Sequence, residues 1–487
     1  MATTTPPEGG AYDLVVIGLG SAGLIAAELA QSLGLRVAAV EHGRIGGESL
    51  WRGCVPSKAL SASAHVAHEM RHADRWGIVP AEPEIDLAGI WERIHQIQED
   101  IAGTGTDPAG LRAAGVDVFH GSAALGDEGV VEVEGGPSLP TRFALLCTGS
   151  SPDVPPVAGI EEMGYLSTET IWSASGPPAS LLVIGAGRTG CELGQALQRL
   201  GVQVTLLERE GRILQRDEPE HAAVVANLLR EEGATLETAV QLERAERVAG
   251  RAVLHGRTAD GAAGRWEADE ILVATGRRPN AEGIGLERHG IRVAAHGVVT
   301  DGSGRTAVPW IYAVGDLTGR AHFTHLAAAE ATRAVRTMFF PGAQRGPMVV
   351  PRCLFTDPEL AQVGLTEAEA RLAHGNDRVR VWRRPLASVD RTRTSSRTAG
   401  SIIVVTARGR IVGASVLAPA ATELIGELTI AVERRWRLRD LAATIHIYPA
   451  VATGLQQIAE EAAIESAHAL TPIARLRTRA TRRRGAA

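Results

Sequence analysis

The chain has 487 residues, of which 45% are hydrophobic, and its formal net charge at pH 7 is −6. This length corresponds to about two to four domains, and the apolar content excludes a disordered, a collagen-like or a miniature fold. The small net charge argues against a protein that binds nucleic acid. The composition therefore predicts a globular protein with large buried cores.

Neither the N-terminus nor the cysteines indicate export or a metal site. Residues 1–10 lack a basic region followed by an apolar core. The longest acid-free apolar stretch, residues 14–27, is shorter than the roughly 20 residues of a membrane span. The four cysteines lie far apart, without the spacing of a disulfide framework or a zinc site. We expect a cytoplasmic protein with no metal ligands and no integral membrane segment.

The first predicted element is a buried strand over residues 12–17, followed by a glycine turn, a helix and a second apolar run that ends in an acid. These elements form a βαβ unit. Its glycines permit a tight turn and let the backbone approach a pyrophosphate, and the acid is placed to accept hydrogen bonds from a ribose diol. The residues concerned are Gly18, Gly20, Gly23 and Glu41.

The same unit recurs over residues 181–208, with Gly185, Gly187, Gly190 and Glu208 at the equivalent positions. In both units the acid follows the first glycine by 23 residues, from 18 to 41 and from 185 to 208. One such glycine pattern is a weak indication, whereas two with equal spacing, each between a strand and a helix, strongly indicate two dinucleotide sites. Such a chain is expected to pass electrons between two dinucleotides.

Later elements fit this plan. Two apolar runs, residues 143–149 and 270–277, include a Thr-Gly pair after a strand, and the apolar run at 310–316 ends in an acid. From residue 347 the pattern changes to apolar runs and an amphipathic helix over residues 423–436. We expect a third domain there, built from a mixed sheet and helices.

The C-terminal residues 471–487 form a basic tail with six arginines and no acid. Two interpretations stay open for this tail. It contacts anionic lipid or another acidic surface weakly, or it is a solvated, disordered end.

At residues 46–58 the sequence reads GGESLWRGCVPSK, and further motifs are ATGRRPN at 274–280 and AVGD at 313–316. With both glycine motifs, they make the chain resemble the class I pyridine nucleotide–disulfide oxidoreductases, such as dihydrolipoamide dehydrogenase, glutathione reductase and mercuric reductase. The resemblance implies an α/β fold with two Rossmann-like dinucleotide-binding domains, for FAD and NAD(P), and a C-terminal α+β dimerisation domain. It also implies a homodimer. The expected boundaries are 1–155 and 281–345 for the FAD domain, 156–280 for the NAD(P) domain, 346–470 for the dimerisation domain and 471–487 for the tail.

The resemblance also implies which residues bind the two cofactors. They are Gly18, Gly20, Gly23, Glu41, Gly47, Lys58, Thr148, Gly149, Asp316, Gly185, Gly187, Gly190, Glu208, Gly276 and Arg277. An acid at Glu208 accepts a 2′-hydroxyl and repels a 2′-phosphate, which favours NADH over NADPH. Arg209 and Arg212 lie nearby in sequence and weaken that preference.

Lys58 is the only lysine among the 50 residues that are Lys or Arg. An ammonium is a compact charge and a guanidinium a planar fork, so a site that accepts only the compact cation explains this exception, with chance as the alternative. The resemblance implies that Lys58 pairs with Glu192 beside the reactive part of the flavin. There the pair stabilises negative charge on the ring.

The chain departs from the family at both places that serve thiol exchange. Ser49 and Cys54 stand where the family has a redox disulfide. The family's His-x-His-Pro motif becomes His446-Ile-Tyr448-Pro, and Thr453 replaces the acid that follows it. A hydroxyl cannot form a disulfide, and a phenol with a reference pKa of about 10 is a poor base near neutral pH. The sequence predicts that the dithiol relay is abandoned.

The leading prediction is an FAD-dependent NAD(P)H oxidoreductase that passes hydride from NADH to FAD and then directly to a small electron acceptor such as a quinone. Its expected catalytic residues are Cys54, Lys58, Glu192 and Tyr448. One alternative is a single-cysteine enzyme in which Cys54 acts as a peroxidase or reduces a disulfide or a metal ion. Another is a non-catalytic nucleotide-binding flavoprotein. Cys54 itself is open to four interpretations: a charge-donating thiolate, a sulfenic acid, a mixed disulfide and an apolar filler.

Overall fold

The computed structural model of the chain describes residues 10–104, 107–173, 176–342, 346–468 and 471. The predicted basic tail lies outside the described residues except for Thr471. Within the described ranges, no helix is both long and apolar enough to cross a bilayer.

The strands of the described chain are β1 Tyr12–Ile17, β2 Val37–Glu41, β3 Val116–His120, β4 Ala123–Leu125, β5 Val130–Val133, β6 Ser138–Leu146, β7 Ser150–Pro152, β8 Leu166–Ser167, β9 Ser180–Ile184, β10 Gln203–Leu207, β11 Thr235–Glu237, β12 Gln241–Val248, β13 Arg251–Arg257, β14 Ala263–Ala268, β15 Glu270–Val273, β16 Arg277–Pro279, β17 Val293–Ala294, β18 Gly297–Val298, β19 Ile311–Ala313, β20 Arg352–Leu354, β21 Glu359–Gly364, β22 Val379–Pro385, β23 Ser401–Ala407 and β24 Arg410–Ala418.

The α-helices are α1 Ser21–Ser32, α2 Gly47–Trp51, α3 Cys54–Arg71, α4 Leu87–Ala102, α5 Pro108–Ala113, α6 Ile160–Met163, α7 Arg188–Arg199, α8 Pro219–Glu231, α9 Thr324–Phe339, α10 Glu367–His374, α11 Asp390–Thr394, α12 Ala421–Glu433, α13 Leu438–Ala442 and α14 Ala452–His468.

The described residues form two compact units. The first unit takes its residues from Met1–Arg71, Glu82–Gly211 and Glu232–Met348, and the second from His72–Ala81, Arg212–Glu231 and Val349–Ala487. Both glycine motifs therefore belong to the first unit. The domain boundaries expected from the sequence stay predictions.

The first glycine motif starts from a parallel sheet in the order β3-β2-β1-β6-β19. Strand β1 reads YDLVVI without polar alternation, as expected of a strand that is buried on both faces. One face packs against the apolar sides of α1 and α9, and the other packs beneath β4 and β5. This burial fixes the carboxyl end of β1, from which the glycine turn departs.

The second glycine motif starts from another parallel sheet, in the order β11-β10-β9-β15-β8. A separate antiparallel sheet of β12, β13 and β14 packs against it through residues such as Leu254 and Trp266. The sequence reading missed this three-stranded sheet. Strand β12 carries mostly exposed, charged side chains, so its apolar pattern is too weak to predict a strand.

The second unit contains an antiparallel sheet in the order β20-β21-β24-β23-β22. The expectation of a mixed sheet in this region was wrong, because every pairing in it is antiparallel. Helices α12 and α14 cover one face with Leu424, Leu428 and Ile458, and Ala370 of α10 packs on the other. The predicted helix over residues 423–436 corresponds to α12.

Helix α8 also belongs to the second unit and is fixed there by a buried histidine. His221 is fully buried, with Nδ1 2.7 Å from Ser415 Oγ and Nε2 2.8 Å from Ser401 Oγ. Burial lowers the pKa of His221 to about 4, and the charge of Arg383 acts in the same direction. Because serine hydroxyls both donate and accept, they satisfy both nitrogens of a neutral imidazole.

Candidate functional site

The two glycine turns have the same close backbone packing. A Cβ at Gly18 would lie 2.5 Å from a carbonyl oxygen that follows β6, and a Cβ at Gly185 would lie 2.7 Å from one that follows β15. A Cβ at Gly23 or Gly190 would lie 1.9 Å or 2.0 Å from the carbonyl oxygen of the first glycine in its own motif. Real Cβ atoms do not approach so closely, so only glycine fits these four positions.

The middle glycines leave room for a ligand. Gly20 and Gly187 immediately precede α1 and α7, and no side chain caps either helix. A Cβ at Gly187 would meet no protein atom within 4 Å. A Cβ at Gly47 would lie 2.6 Å from Gly20 Cα, so the Gly47 segment packs on the first loop. Open space before uncapped N–H groups fits the diphosphate of a dinucleotide.

The two acids are held in matching positions. Glu41 and Glu208 each accept a hydrogen bond from the N–H that follows the first glycine of their motif, at 2.7 Å in both cases. Each acid also accepts a hydrogen bond from the main-chain N–H of the residue two positions after itself. The distance is 2.7 Å for Glu41 and 2.9 Å for Glu208. Both carboxylates are therefore fixed beside a glycine turn, where the ribose of a dinucleotide is expected.

The remaining residues predicted to bind FAD lie at the turns that follow β6 and β19. Thr148 Oγ1 donates to the Asn280 carbonyl oxygen at 2.8 Å, and Asn280 Nδ2 donates to the Thr148 carbonyl oxygen at 2.9 Å. Gly149 has a φ of +70°. Ser150 Oγ donates to Asp316 Oδ2 at 2.6 Å. The predicted set around Thr148, Gly149 and Asp316 is thus brought together by Ser150 and Asn280.

Lys58 and Glu192 form an ion pair between α3 and α7. Lys58 Nζ lies 2.6 Å from Glu192 Oε1, and the two side chains are 34% and 7% exposed. Nζ also donates to Ser57 Oγ at 3.2 Å. Helix α3 begins at Cys54, and α7 follows the second glycine motif. The pair therefore joins the segment at residues 46–58 to the second glycine motif.

Ser49 and Cys54 contact the same hydroxyl. Thr324 Oγ1, at the start of α9, donates to Ser49 Oγ at 3.1 Å and lies 3.5 Å from Cys54 Sγ. Cys54 is exposed, and none of the four cysteines forms a disulfide. Cys147 and Cys191 are buried, and burial raises the pKa of the Cys147 thiol. Cys54 is thus the most accessible thiol.

Arg277, which was predicted to bind a cofactor, is engaged by protein groups. Its Nη2 lies 2.7 Å from Glu48 Oε2 and 3.2 Å from Glu169 Oε1, and its Nε donates to Ser150 Oγ at 2.8 Å. Burial raises the pKa of Glu48 to about 7; the charge of Arg277 opposes this shift, and those of Asp316 and Glu169 add to it. This cluster holds a carboxyl group that titrates near neutral pH.

Tyr448 lies in the second unit, on the loop between α13 and α14, and is 68% exposed. Its Oη donates to Asp390 Oδ2 at 3.0 Å, and this hydrogen bond raises the pKa of the phenol. His446 Nε2 lies 3.0 Å from Glu427 Oε1. Thr453 Oγ1 accepts a hydrogen bond from a main-chain N–H of its own turn.

Comparison with known proteins decides the family. The sequence profile described as "Pyridine nucleotide-disulphide oxidoreductase" matches residues 12–331, more than half of the chain. The profile of the dimerisation domain of the same family matches residues 350–459. The chain belongs to the pyridine nucleotide-disulphide oxidoreductase family.

Relatives of the chain cover nearly all of it. A mercuric reductase of Streptomyces lividans is 36% identical over 469 residues, which are 92% of this chain and 96% of the relative. A dihydrolipoyl dehydrogenase of Thermus scotoductus is 35% identical, with 94% and 99% covered. The solved structure of LpdA from Mycobacterium tuberculosis is 28% identical with a TM-score of 0.83, covering 92% and 99%. The HOCl-induced flavoprotein disulfide reductase RclA from Escherichia coli, at 24% identity and a TM-score of 0.82, shares the fold over 92% of this chain and 99% of its own.

As a member of this family, the protein is an FAD-dependent oxidoreductase that uses a pyridine nucleotide. This membership favours an enzyme over the non-catalytic alternative. Hydride acceptance from a nicotinamide is the chemistry that bound FAD supplies. The glycine turns and their two acids fit the diphosphate and ribose parts of the two dinucleotides, and the Lys58 ammonium is held by Glu192 at the start of α3.

The sequence reading did not single out Glu48 or Thr324. Glu48 lies inside the motif at residues 46–58, and an acid in a glycine-rich segment was a usable signal. Thr324 is separated from Cys54 by 270 residues, and no local pattern connects them. Only the fold brings the start of α9 to the start of α3.

Proposed function

We propose that the protein transfers hydride from NADH to FAD and then passes the electrons directly to a small planar acceptor such as a quinone. The observation that carries this proposal is that Ser49 occupies the place of the first redox cysteine and accepts a hydrogen bond from Thr324. A serine hydroxyl cannot form a disulfide, so no dithiol at this position relays the electrons. Direct transfer to the acceptor requires no thiol.

The Lys58–Glu192 pair supports the hydride-accepting half of the proposal. An ammonium held at a fixed distance stabilises negative charge that develops nearby, and it needs no reorganisation during the reaction. Glu192 is only 7% exposed, so its buried carboxylate needs a counter-charge, and Lys58 supplies one at 2.6 Å. Both groups are therefore held in place before the reaction begins.

The second glycine motif supports NADH over NADPH. The fixed carboxylate of Glu208 is suited to a ribose 2′-hydroxyl and repels a 2′-phosphate. Arg212, which sequence analysis named as a competing influence, donates to the carbonyl oxygens of Leu214 and Gln215 at 2.8 Å and 2.7 Å. Arg209 pairs with Glu210 at 3.2 Å. Arg212 is thus engaged by carbonyl oxygens, whereas Arg209 is 83% exposed and keeps the preference for NADH moderate.

The protonated hydroxyl of Tyr448 supports an electron acceptor whose reduction needs little general acid–base catalysis. The hydrogen bond to Asp390 raises the pKa of the phenol, so its hydroxyl stays protonated and is a poor base near neutral pH. A quinone is reduced without the thiol deprotonation that a dithiol mechanism requires.

The decisive experiment compares the wild type with Cys54→Ser, using Cys353→Ser as the matched control because Cys353 lies in β20 of the second unit. We expect about one equivalent of NADH per FAD to bleach the flavin in an anaerobic titration, since no disulfide takes up a second electron pair. We also expect menadione reduction by Cys54→Ser within about twofold of the wild-type rate. Loss of turnover in Cys54→Ser alone, or a disulfide that includes Cys54 in the oxidised protein, contradicts the proposal.

A single-cysteine mechanism is the second candidate, and the exposure of Cys54 at the start of α3 favours it. In this mechanism the Cys54 sulfur attacks a peroxide oxygen and becomes a sulfenic acid while water leaves, and NADH-derived electrons restore the thiol. NADH-dependent peroxide consumption that disappears in Cys54→Ser, with menadione reduction unchanged, is the result that supports it.

We further propose a homodimer, supported by the matched dimerisation domain. Size-exclusion chromatography with light scattering tests this assembly, and a monomeric mass contradicts it. The cytoplasmic location and the contact of the basic tail with an acidic surface stay predictions.

A further inference from the structure

Glu48 occupies an unusual place for an acid. It is the second residue of α2, directly after Gly47, whose Cα position packs on Gly20 of the first glycine turn. Its Oε2 lies 2.7 Å from Arg277 Nη2, and its Oε1 would lie 3.6 Å from a Cβ at Gly53, the residue before Cys54. The carboxyl group therefore sits between the first dinucleotide turn and the start of α3.

Five charged groups, counting Glu48 itself, form a cluster in which negative charges outnumber positive ones. Three carboxyl groups, Glu48, Glu169 and Asp316, face two guanidinium groups, Arg277 and Arg52. Both guanidinium groups also pair with Glu169: Arg277 Nη2 lies 3.2 Å from Glu169 Oε1, and Arg52 Nη1 lies 2.7 Å from Glu169 Oε2. With every group charged, the cluster carries one excess negative charge. The Glu48 side chain is 32% exposed; its partial burial favours the neutral form of the carboxyl and raises its pKa to about 7, against the attraction of Arg277.

We propose that Glu48 takes up a proton when FAD binds, so that FAD binding is coupled to pH. The inference rests on the assignment of FAD to the first glycine motif, which is a property of the family. The FAD diphosphate brings two further negative charges to the loop on which the Glu48 helix packs. Protonation of Glu48 removes the excess negative charge of the cluster. Arg277 keeps its ion pair with Glu169 and its hydrogen bond to Ser150.

The direction of the effect follows from linkage. Below neutral pH, Glu48 already carries its proton and FAD binds without uptake. Above the pKa of the free apoprotein, each FAD binds together with one proton, so the dissociation constant rises about tenfold per pH unit. The FAD diphosphate and flavin ring keep a constant charge over this range, so the proton is taken up by the protein.

The experiment uses apoprotein prepared by removing FAD and measures FAD affinity from the quenching of flavin fluorescence. For the wild type we expect the dissociation constant to rise about tenfold from pH 6 to pH 8. Glu48→Gln keeps the size and a hydrogen-bonding oxygen but cannot ionise, so its affinity should stay constant over this range. If Glu48→Gln does not fold, Glu48→Ala provides the same comparison.

Glu243→Gln is the matched control, because Glu243 also pairs with an arginine, Arg257, but is more than half exposed on the β12 strand. It should keep the pH dependence of the wild type. A pH dependence that persists in Glu48→Gln, or its absence from the wild type, overturns the proposal.

Calorimetry in buffers of different ionisation enthalpy gives an independent readout. At pH 8 we expect the wild type to take up about 0.9 protons per FAD and Glu48→Gln to take up none. Zero uptake by the wild type overturns the proposal. Neither measurement needs NADH or an acceptor, so failure here leaves the proposed electron transfer untouched, and failure of menadione reduction leaves proton-linked FAD binding untouched.

Discussion

The molecule keeps the family's residues in one region and changes them in another. The nucleotide end, made of the two glycine motifs and the Lys58–Glu192 pair, retains the family pattern. The residues that sequence analysis assigns to thiol exchange, Ser49 and Cys54 in the first unit and Tyr448 in the second, are predicted to depart from it. The acids of both glycine motifs accept equivalent hydrogen bonds of 2.7 Å, whereas Ser49 and Tyr448 are hydroxyl groups at the positions where a cysteine and a histidine are expected from the family pattern. The contrast suggests that hydride acceptance and thiol exchange are separable functions of this fold.

The largest effect is expected from Gly190→Ala at the nucleotide end. Its new Cβ would lie 2.0 Å from the Gly185 carbonyl oxygen, so the turn must open. We expect NADH-driven flavin reduction, measured by anaerobic stopped flow, to fall by at least about 10²-fold with FAD content unchanged. Gly426→Ala in α12 is the control, because its Cβ would also meet no protein atom within 4 Å and it lies outside both glycine motifs; it should reduce its flavin at the wild-type rate. If Gly190→Ala reduces its flavin at the wild-type rate, the second glycine motif takes no part in the reaction with NADH.

Glu192→Gln tests whether the Lys58 pair serves the reaction or only stability. We expect flavin reduction by NADH to slow about 30-fold, or ~2 kcal/mol in activation free energy. Glu232→Gln is the control, since it breaks another buried pair of the first unit, Arg199–Glu232, whose side chains are 5% and 12% exposed. Both variants should lower the unfolding midpoint. Equal slowing in both would assign the Lys58 pair a structural role alone.

Glu208→Gln sharpens the assignment of the second motif to NADH. The amide keeps an oxygen that accepts hydrogen bonds but loses the charge that repels a 2′-phosphate. We expect the ratio of kcat/KM for NADH to that for NADPH to fall about tenfold, ~1.4 kcal/mol. Glu41→Gln, at the equivalent position of the first motif, should leave this ratio unchanged. A constant ratio in Glu208→Gln would show that other groups select the nucleotide.

The smallest effect is expected from Tyr448→Phe in the second unit. Since the hydrogen bond to Asp390 raises the pKa of the phenol, the hydroxyl does not change its charge near neutral pH. We expect menadione turnover within about twofold of the wild type, with the same pH profile between about pH 6 and pH 9. A pH inflection that differs between the wild type and Tyr448→Phe would identify Tyr448 as a proton donor. It would also weaken the contrast between hydride acceptance and thiol exchange.

Most of the nucleotide end could be predicted from the sequence because its constraints are local. A glycine turn, a helix start and an acid at a fixed spacing all lie within one βαβ unit, so the pattern fixes the backbone that the structure displays around Gly18 and Gly185. The buried strands β15 and β19 and the carboxyl-terminal part of β6 were also found, since their apolar runs are continuous.

The parts that were not predicted depend on contacts that are distant in sequence. Thr324 reaches Ser49 and Cys54 only through folding, and α8 is held in the second unit by contacts such as those of His221 with two serines and of Glu220 with Arg383. The charge balance around Glu48 likewise depends on Arg277 and Asp316, which lie on separate segments. Sequence spacing carries no information about such groupings.

The burial of His221 gives this protein a built-in sensitivity to acid. In the unfolded chain the imidazole binds a proton below about pH 6.5, but in the folded protein it does so only near pH 4. The free energy of unfolding should therefore decline by up to about 3 kcal/mol as the pH falls from about 6.5 to about 4. Urea unfolding at pH 7.5 and pH 4.5 measures the loss. Because α8 is the part of the chain between β10 and β11, protonation of His221 acts on the connection that begins at Glu208.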